Sequence, residues 1–225
     1  MRMPAPSNRG DELLQGAKQL GSATLHEAAN RKGALPHVLK PIDGDMRLAG
    51  WALPVRCPGG DNLWIHRALA TTKAGDVLVI DAGMTAAFGY WGEVMATAAL
   101  ARGAAGIVLT GGVRDSRRLT DLGLPTFCAS IAIQGTAKDP ASDGAIGEPI
   151  RLGETIIRVG DLIVGDADGL VCIPKAHVKR TVAAGRRREA AETEILQRIR
   201  QGERTLDIYG LDPGVPGLQL ARESS

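Results

Sequence analysis

Between residues 77 and 130, short apolar runs alternate with helical stretches, and no other feature limits the fold as tightly. VLVI follows a Gly-Asp turn, GIVLTGG begins at Gly106, and LPTFCAS begins at Leu124. Each run is too short for a helix and is bounded by Gly, Asp or Pro, which suits buried strands. WGEVMATAALARG and DSRRLTDLG lie between them and read as helices, the first ending at Gly103. Strand, helix, strand, helix, strand in that order joins neighbouring strands through crossovers, and crossovers make parallel pairs. The fold class is therefore α/β.

The flanking segments add covering helices and a second kind of sheet. DELLQGAKQLG reads as a helix stopped near Gly21, and SATLHEAANRKG as another, with Ser22 as N-cap and Gly33 as its stop. MRLAGWALPVRC has strand composition and ends in the turn CPGGDN. DNLWIHRALATT is amphipathic, with Leu63, Ile65, Ala68 and Leu69 on its inner face. Residues 134–149 are polar and glycine-rich and predict a long loop. After it, IRL, TIIRV, LIVGD and LVCIP are separated by GE, GD and DADG turns, the pattern of an antiparallel meander. DADG lacks the frame of a calcium loop and is read as a β-turn. A long amphipathic helix spans about residues 176–201, and residues 1–9 and about 212–225 read as tails. The expected organisation is one domain over residues 1–225, with layered sheets between helices.

Charge and composition exclude several classes of function. The net charge is +2, and the only basic cluster, Arg186 to Arg188, shares its helix with Glu189, Glu192 and Glu194. No nucleic-acid footprint results. No run approaches the roughly 18 apolar residues of a membrane helix, and the first residues lack an apolar signal core, so a soluble cytoplasmic protein with no membrane partner is expected. Cys57, Cys128 and Cys172 are far apart in apolar surroundings and read as buried free thiols. Phosphate-loop, dinucleotide, nucleophile-elbow and zinc motifs are all missing. The four histidines are scattered singly, and His66, after GGDN, is the one nearest to a candidate site.

The chemistry-bearing stretch is GYWGEVMATAALARGAAGIVLTGGVRD. If Gly92 to Met95 open a helix, their free N–H groups and the helix dipole suit an anion. A helix of eleven residues descends about 16 Å, and GIVLT climbs back about 16 Å. The chain thus returns to the level of Gly92 where Arg114 and Asp115 appear. Arg114 suits two-point contact with a carboxylate. Asp115 offers a hard oxygen to a divalent cation, and Mg²⁺ needs only one or two such protein ligands. Glu93 stands where it could handle a water or a proton. The same residues also fit a plainer arrangement, a helix N-terminus beside a surface ion pair, and spacing alone does not choose.

WGEVMATAALARGAAGIVLTGGVRD resembles the active-site segment of the RraA-like proteins, a family that includes metal-dependent pyruvate aldolases and a regulator of ribonuclease activity. The likeness extends through SATLHEAANRKG, RLAGWALPVRCPGGDNLWIHRAL, AGDVLVIDAG, LPTFCAS and VGDLIVGDADGLVCIP, nearly the whole chain in order. The resemblance implies an αββα sandwich of the swivelling phosphohistidine-domain type with flanking helices, assembled as a homotrimer or homohexamer. It implies a class II aldolase in which Mg²⁺ or Mn²⁺ assists cleavage of a 4-hydroxy-2-oxo acid. The acids are of the kind of 4-hydroxy-4-methyl-2-oxoglutarate or 4-carboxy-4-hydroxy-2-oxoadipate, cleaved to pyruvate and a second keto acid, with oxaloacetate decarboxylation as a side activity.

Residue by residue, the resemblance makes Gly92, Glu93, Val94 and Met95 the substrate-binding backbone, Arg114 the substrate arginine and Asp115 the metal ligand. It implies a glutamate from a neighbouring subunit's C-terminal helix, here Glu189 or Glu192. Two positions depart from the aldolase pattern. Glu93 stands for the usual Asp, and Arg118 for the usual acidic residue three positions after the metal aspartate. The second departure puts a cation where an anion is expected near the metal. The same resemblance leaves room for a non-catalytic protein-binding regulator of ribonuclease activity, or for a related lyase or hydratase acting on another 2-oxo acid.

Overall fold

The computed structural model describes residues 9–83 and 86–211. The expected tails, 1–9 and 212–225, lie outside the described residues except for position 9. In chain order the elements are α1 (Arg9–Ala28), β1 (Lys40–Pro41), β2 (Leu48–Arg56), α2 (Leu63–Thr71), β3 (Asp76–Asp81), β4 (Gly89–Trp91), α3 (Glu93–Ala101) and β5 (Gly106–Val113). There follow α4 (Ser116–Leu122), β6 (Thr126–Ile131), β7 (Ala145–Ile146), β8 (Ile150–Leu152), β9 (Thr155–Ile157), β10 (Leu162–Asp166) and β11 (Gly169–Ile173). A 3₁₀ turn (Lys175–His177), α5 (Val178–Arg200) and α6 (Thr205–Ile208) complete them. The chain divides into two compact units, one up to Gly185 and one from Arg186 onward.

In the first unit the main strands run in the order β1-β6-β5-β3-β2-β10-β11, with β4 beside β5 and β7 beside β2. β3, β5 and β6 are parallel, as the alternation between 77 and 130 demands, and β2 joins β3, and β4 joins β5, in parallel as well. Side chains alternate along every central strand, yet both faces are buried. Leu48, Ala52, Val77, Val79, Val108, Phe127, Ile163 and Leu170 share one apolar cluster. The alternate residues Leu78, Ile80, Ile107 and Leu109 pack instead with residues of α2 and α3 such as Ile65, Ala68, Ala96 and Ala99. Leu162, Val164, Val171 and Ile173 pack with Ala17, Leu20 and Leu25 of α1 and with Val178 and Val182.

The layered sheets expected from the sequence take the form of one mixed sheet curled towards closure. The chain between α1 and β2 bridges its two edges. Cys172 donates its N–H to Gly33 at 2.8 Å and Leu35 donates to Leu170 at 3.0 Å, while Lys40 and Pro41 pair with Cys128 and Phe127 of β6. Edge groups that would otherwise be left unpaired are thereby satisfied.

Several expectations are corrected in detail. The four-strand meander is two hairpins: β8 and β9 form their own sheet, and β10 and β11 join the main one. The DADG turn is as expected, a tight hairpin with Asp166 opposite Gly169. The two N-terminal helices do meet at a break, with Gly21 at φ 78°. Ser22, however, does not cap through its own oxygen. Its N–H and hydroxyl both donate to the Asp166 carboxylate, at 2.7 and 2.6 Å, so a residue 144 positions away anchors this helix start. The second helix stops at Ala28 rather than Gly33, because Asn30 and Arg31 turn left-handed. Leu63 is only half-buried, whereas Ile65, Ala68 and Leu69 are buried as expected. The strands β1, β4 and β7 were not anticipated.

The second unit comprises the later turns of α5 and α6, laced by local ion pairs. Arg188 meets Glu192 at 2.8 Å and Arg204 meets Asp207 at 2.7 Å, while Arg198 pairs with Glu203. No helix among the described residues is long and apolar enough to cross a membrane.

Candidate functional site

The site is built where β4 and β5 end. In parallel sheets, ligands bind beyond the carboxyl ends of the strands, where the following segments diverge. β4 gives way to Gly92 and then α3, while β5 gives way to Arg114, Asp115 and then α4. The return distance inferred from α3 and β5 is met closely. The Arg114 N–H donates to the Trp91 carbonyl at 2.8 Å, so the two legs are hydrogen-bonded neighbours.

β4 is itself held from beneath by the CPGGDN turn. Gly60 donates its N–H to the Tyr90 hydroxyl at 2.8 Å, and Asn62 donates from Nδ2 to the Tyr90 carbonyl at 2.9 Å. This three-residue strand was missed in the sequence because it is too short to show alternation. Its one signal was the aromatic pair Tyr90–Trp91 just before the helix start.

Gly92 is the N-cap of α3, in extended conformation that any residue can adopt. Space, not backbone freedom, demands glycine. A Cβ there would lie 2.5 Å from Asp115 Oδ2 and 3.3 Å from Arg114 Cγ. Asp115 uses that space to cap α3: the Glu93 N–H donates to Asp115 Oδ2 at 3.1 Å. An anion capping a helix start is favoured by the exposed N–H groups and by the dipole. Asp115 adopts φ 58°, ψ 33°, a left-handed conformation that Asp tolerates better than most residues but that still carries strain. Arg114 and Asp115 make no ion pair with each other among the described residues, and the Arg114 guanidinium lies beside Gly135, where a Cβ would stand 3.9 Å from Nη1.

Among Gly92 to Met95, the anion-binding capacity narrows. The Glu93 N–H is spent on Asp115, and the Met95 N–H donates to the Gly92 carbonyl at 3.1 Å. The N–H groups of Gly92 and Val94 have no protein acceptor among the described residues. Val94 carries an exposed side chain while Met95 is buried beneath the helix start. Val94 at 79% exposure, with Ile131 at 60% and Ile133 at 91%, leaves bare apolar side chains at the start of α3 and at the end of β6, the strand beside β5. Ile131 pairs with Val113, one residue before Arg114.

Glu93 is not free. Its Oε1 lies 3.6 Å from Arg118 Nη1. The two departures noted in the sequence therefore face each other, one on α3 and one on α4. Arg117 and Arg118 both sit in the first turn of α4, which carries no acidic residue. Cations there oppose the helix dipole at a cost of about 0.3–1 kcal/mol each before screening. Arg117 recovers some of it along the helix with Asp121 at 3.3 Å.

The residues present suit a Mg²⁺-like cation. Asp115 is exposed, and its second carboxylate oxygen has no protein partner among the described residues. Among the described residues no three His, Cys, Asp or Glu side chains gather into a cage. A hard cation that keeps most of its water needs only the single carboxylate that Asp115 offers. Of the C-terminal glutamates, both in the second unit, Glu192 is occupied by Arg188, whereas the exposed Glu189 has no ionic partner among the described residues. His66 lies on α2, and burial pulls its imidazole below the usual histidine range, with Lys138 adding to the effect. The thiols of Cys57, Cys128 and Cys172 are buried and pushed up to about 12, 11 and 12, chiefly by desolvation.

Known proteins share this architecture. Residues 22–172 match the family model for RraA-like proteins, described as Aldolase/RraA. A protein of Halalkalibacterium halodurans, provisionally named a 4-hydroxy-4-methyl-2-oxoglutarate aldolase, is 35% identical over 179 residues, covering 80% of this chain and 84% of its own. A 4-hydroxy-4-methyl-2-oxoglutarate aldolase of Thermus thermophilus is 30% identical over 142 residues, covering 63% of this chain and 85% of its own. The solved structure of Streptomyces coelicolor RraAS2, described as an unusual member of the RNase ES inhibitor RraA family, matches with a TM-score of 0.72 at 27% identity. That match covers 87% of this chain and all of that one.

Proposed function

The chain belongs to the RraA-like family, and from that membership we propose that it is a divalent-metal-dependent aldolase acting on a 4-hydroxy-2-oxo acid. The products are pyruvate and a second keto acid. The observation that carries the reading is the convergence of Arg114, Asp115 and the start of α3, locked by the Arg114 N–H to Trp91 and the Glu93 N–H to Asp115.

In this reading Arg114 grips the carboxylate of the 2-oxo acid by two-point contact, and the unsatisfied N–H of Val94 adds a donor. Asp115 holds the cation through its free oxygen, and the cation when bound supplies Lewis acidity to the 2-oxo group. A water ordered by Glu93 relays the proton of the C4 hydroxyl to the Glu93 carboxylate, which later returns it to C3 by the same route. The C3–C4 bond then breaks, its electron pair passing into the pyruvate enolate while C4 becomes a carbonyl. Negative charge grows beside Arg114 and the α3 dipole, which are already in place and need no reorganisation. Protonation at C3 releases pyruvate. Oxaloacetate, which yields the same enolate on losing CO₂, is a second substrate of this kind.

The same proposal covers assembly and kinship. The bare apolar side chains of Val94, Ile131 and Ile133 are a surface for a second subunit in a homotrimer or homohexamer, with Glu189 the free glutamate for a neighbour's site. The curled sheet is taken as a variant of the swivelling phosphohistidine-domain fold.

The experiment is pyruvate release from 4-hydroxy-4-methyl-2-oxoglutarate with Mg²⁺ or Mn²⁺, with and without EDTA. Turnover that EDTA leaves untouched, or no turnover of any 4-hydroxy-2-oxo acid, rejects the proposal. A second reading, a ribonuclease-binding regulator, is favoured by the full-length match to the Streptomyces protein. It predicts capture of an RNase E-type enzyme and no metal-dependent cleavage.

A further inference from the structure

Arg118 contributes little that the fold requires. It stands in the first turn of α4, where the dipole repels a cation. Its side chain is 68% exposed, so packing does not hold it there. Its partner Glu93 lies at 3.6 Å, longer than a hydrogen bond. Among the described residues none of its guanidinium N–H groups finds a protein acceptor within hydrogen-bond distance. A planar fork of five donors is thus left unmet at the edge of the site. Arg117, one residue earlier, spends its charge along its own helix on Asp121, whereas Arg118 leans across to α3.

Two arginine side chains thus approach the start of α3. Arg114 reaches it from the end of β5, with its Cγ 3.3 Å from where a Cβ on Gly92 would be. Arg118 reaches it from α4 through Glu93. Arg114 and Arg118 are balanced by Glu93 and Asp115 while no ligand is present. A cation held by Asp115 adds two positive charges, and one carboxylate cancels only one of them.

We propose that Arg118 is a specificity-determining residue that receives a second, distal carboxylate, so that the site selects 2-oxo dicarboxylates over 2-oxo monocarboxylates. This rests on the reading of Arg114 and Asp115 as the 2-oxo acid site. Glu93 acts as a placeholder: it keeps the guanidinium over the α3 start until a carboxylate provides the closer, two-point partner that Glu93 at 3.6 Å does not.

The test pairs catalysis with binding. Pyruvate release is measured for 4-hydroxy-4-methyl-2-oxoglutarate and for 4-hydroxy-4-methyl-2-oxopentanoate, in which a methyl replaces the distal carboxylate. Binding of the unreactive pair 2-oxoglutarate and 2-oxopentanoate is measured by calorimetry with Mg²⁺ present. Arg118→Gln is expected to shrink the dicarboxylate preference, as a ratio of kcat/KM and as a ratio of Kd, on the order of tenfold. Arg118→Lys is expected to keep part of it. Equal losses for both acids, an unchanged ratio, or wild-type protein with no preference would overturn the proposal, as would failure to bind either acid. A wild type that cleaves nothing yet binds 2-oxoglutarate through Arg118 sinks the aldolase reading and leaves this one standing.

Discussion

Replacing Gly92 by alanine separates the chemistry of the site from the stability of the fold. Gly92 has φ −156°, so alanine meets no backbone penalty. The new methyl would sit 2.5 Å from Asp115 Oδ2, with Arg114 Cγ at 3.3 Å on its other side. To restore ordinary contact distances the carboxylate must retreat by roughly 1 Å. That movement breaks the 3.1 Å bond from the Glu93 N–H, worth about 1 kcal/mol as a lost helix cap. A protein of this size then melts about 2–4 °C lower. A displacement of about 1 Å at a reacting centre costs on the order of 10²-fold in rate. Gly92→Ala should therefore fold and melt almost as the parent does while losing about two orders of magnitude in kcat/KM for pyruvate release. Circular dichroism melts and a coupled pyruvate assay read the two effects separately. Parent-like kinetics in a folded Gly92→Ala protein would show that the Asp115 carboxylate is not where the reaction occurs.

Further outcomes follow from other contacts. Asp115→Asn keeps a residue that accepts the left-handed conformation and can still cap α3, so its melting temperature should stay close to the parent's while activity is lost and added Mg²⁺ no longer restores it. Asp166→Ala strands the buried N–H and hydroxyl of Ser22 and should destabilise the protein by about 2–4 kcal/mol in urea titrations, with activity per folded molecule preserved. The three thiols have folded pKa values of about 12, 11 and 12 against an ordinary 9.0, so the folded state holds their protons more firmly than the unfolded state does. Their contribution is complete below pH 9 and is lost as pH rises through 11 to 12, so stability should fall across that window, and a Cys→Ala or Cys→Val variant should flatten the decline. A decline unchanged in such variants would assign the effect to other groups.

β5 and the parallel strands β3 and β6 on either side of it were readable because their signal is local, whereas β4 was too short to show one. VLVI, GIVLTGG and LPTFCAS carry the apolar length and flanking turns of buried strands, and crossover logic then makes them parallel. What joins distant parts of the chain left no such trace. The segment from Gly33 to Pro41 closes the sheet through backbone bonds to β11 and β6, and backbone bonding has no side-chain periodicity to reveal it. Ser22 looked like a self-sufficient cap because local patterns cannot show that Asp166, 144 residues on, supplies the acceptor.

The same distinction explains why the pair of departures at Glu93 and Arg118 looked like two separate faults. Twenty-four residues lie between them, and no helical or strand period links the positions. In space they face one another because α3 and α4 both start where neighbouring parallel strands end. An aspartate at 93 is one methylene shorter, which from the same backbone draws its carboxylate back from a contact already at 3.6 Å. An acidic residue at 118 would turn attraction into repulsion. Each departure is intelligible only in the presence of the other. Glu93 and Arg118 thus form one paired feature, set beside Asp115 through the Glu93 N–H.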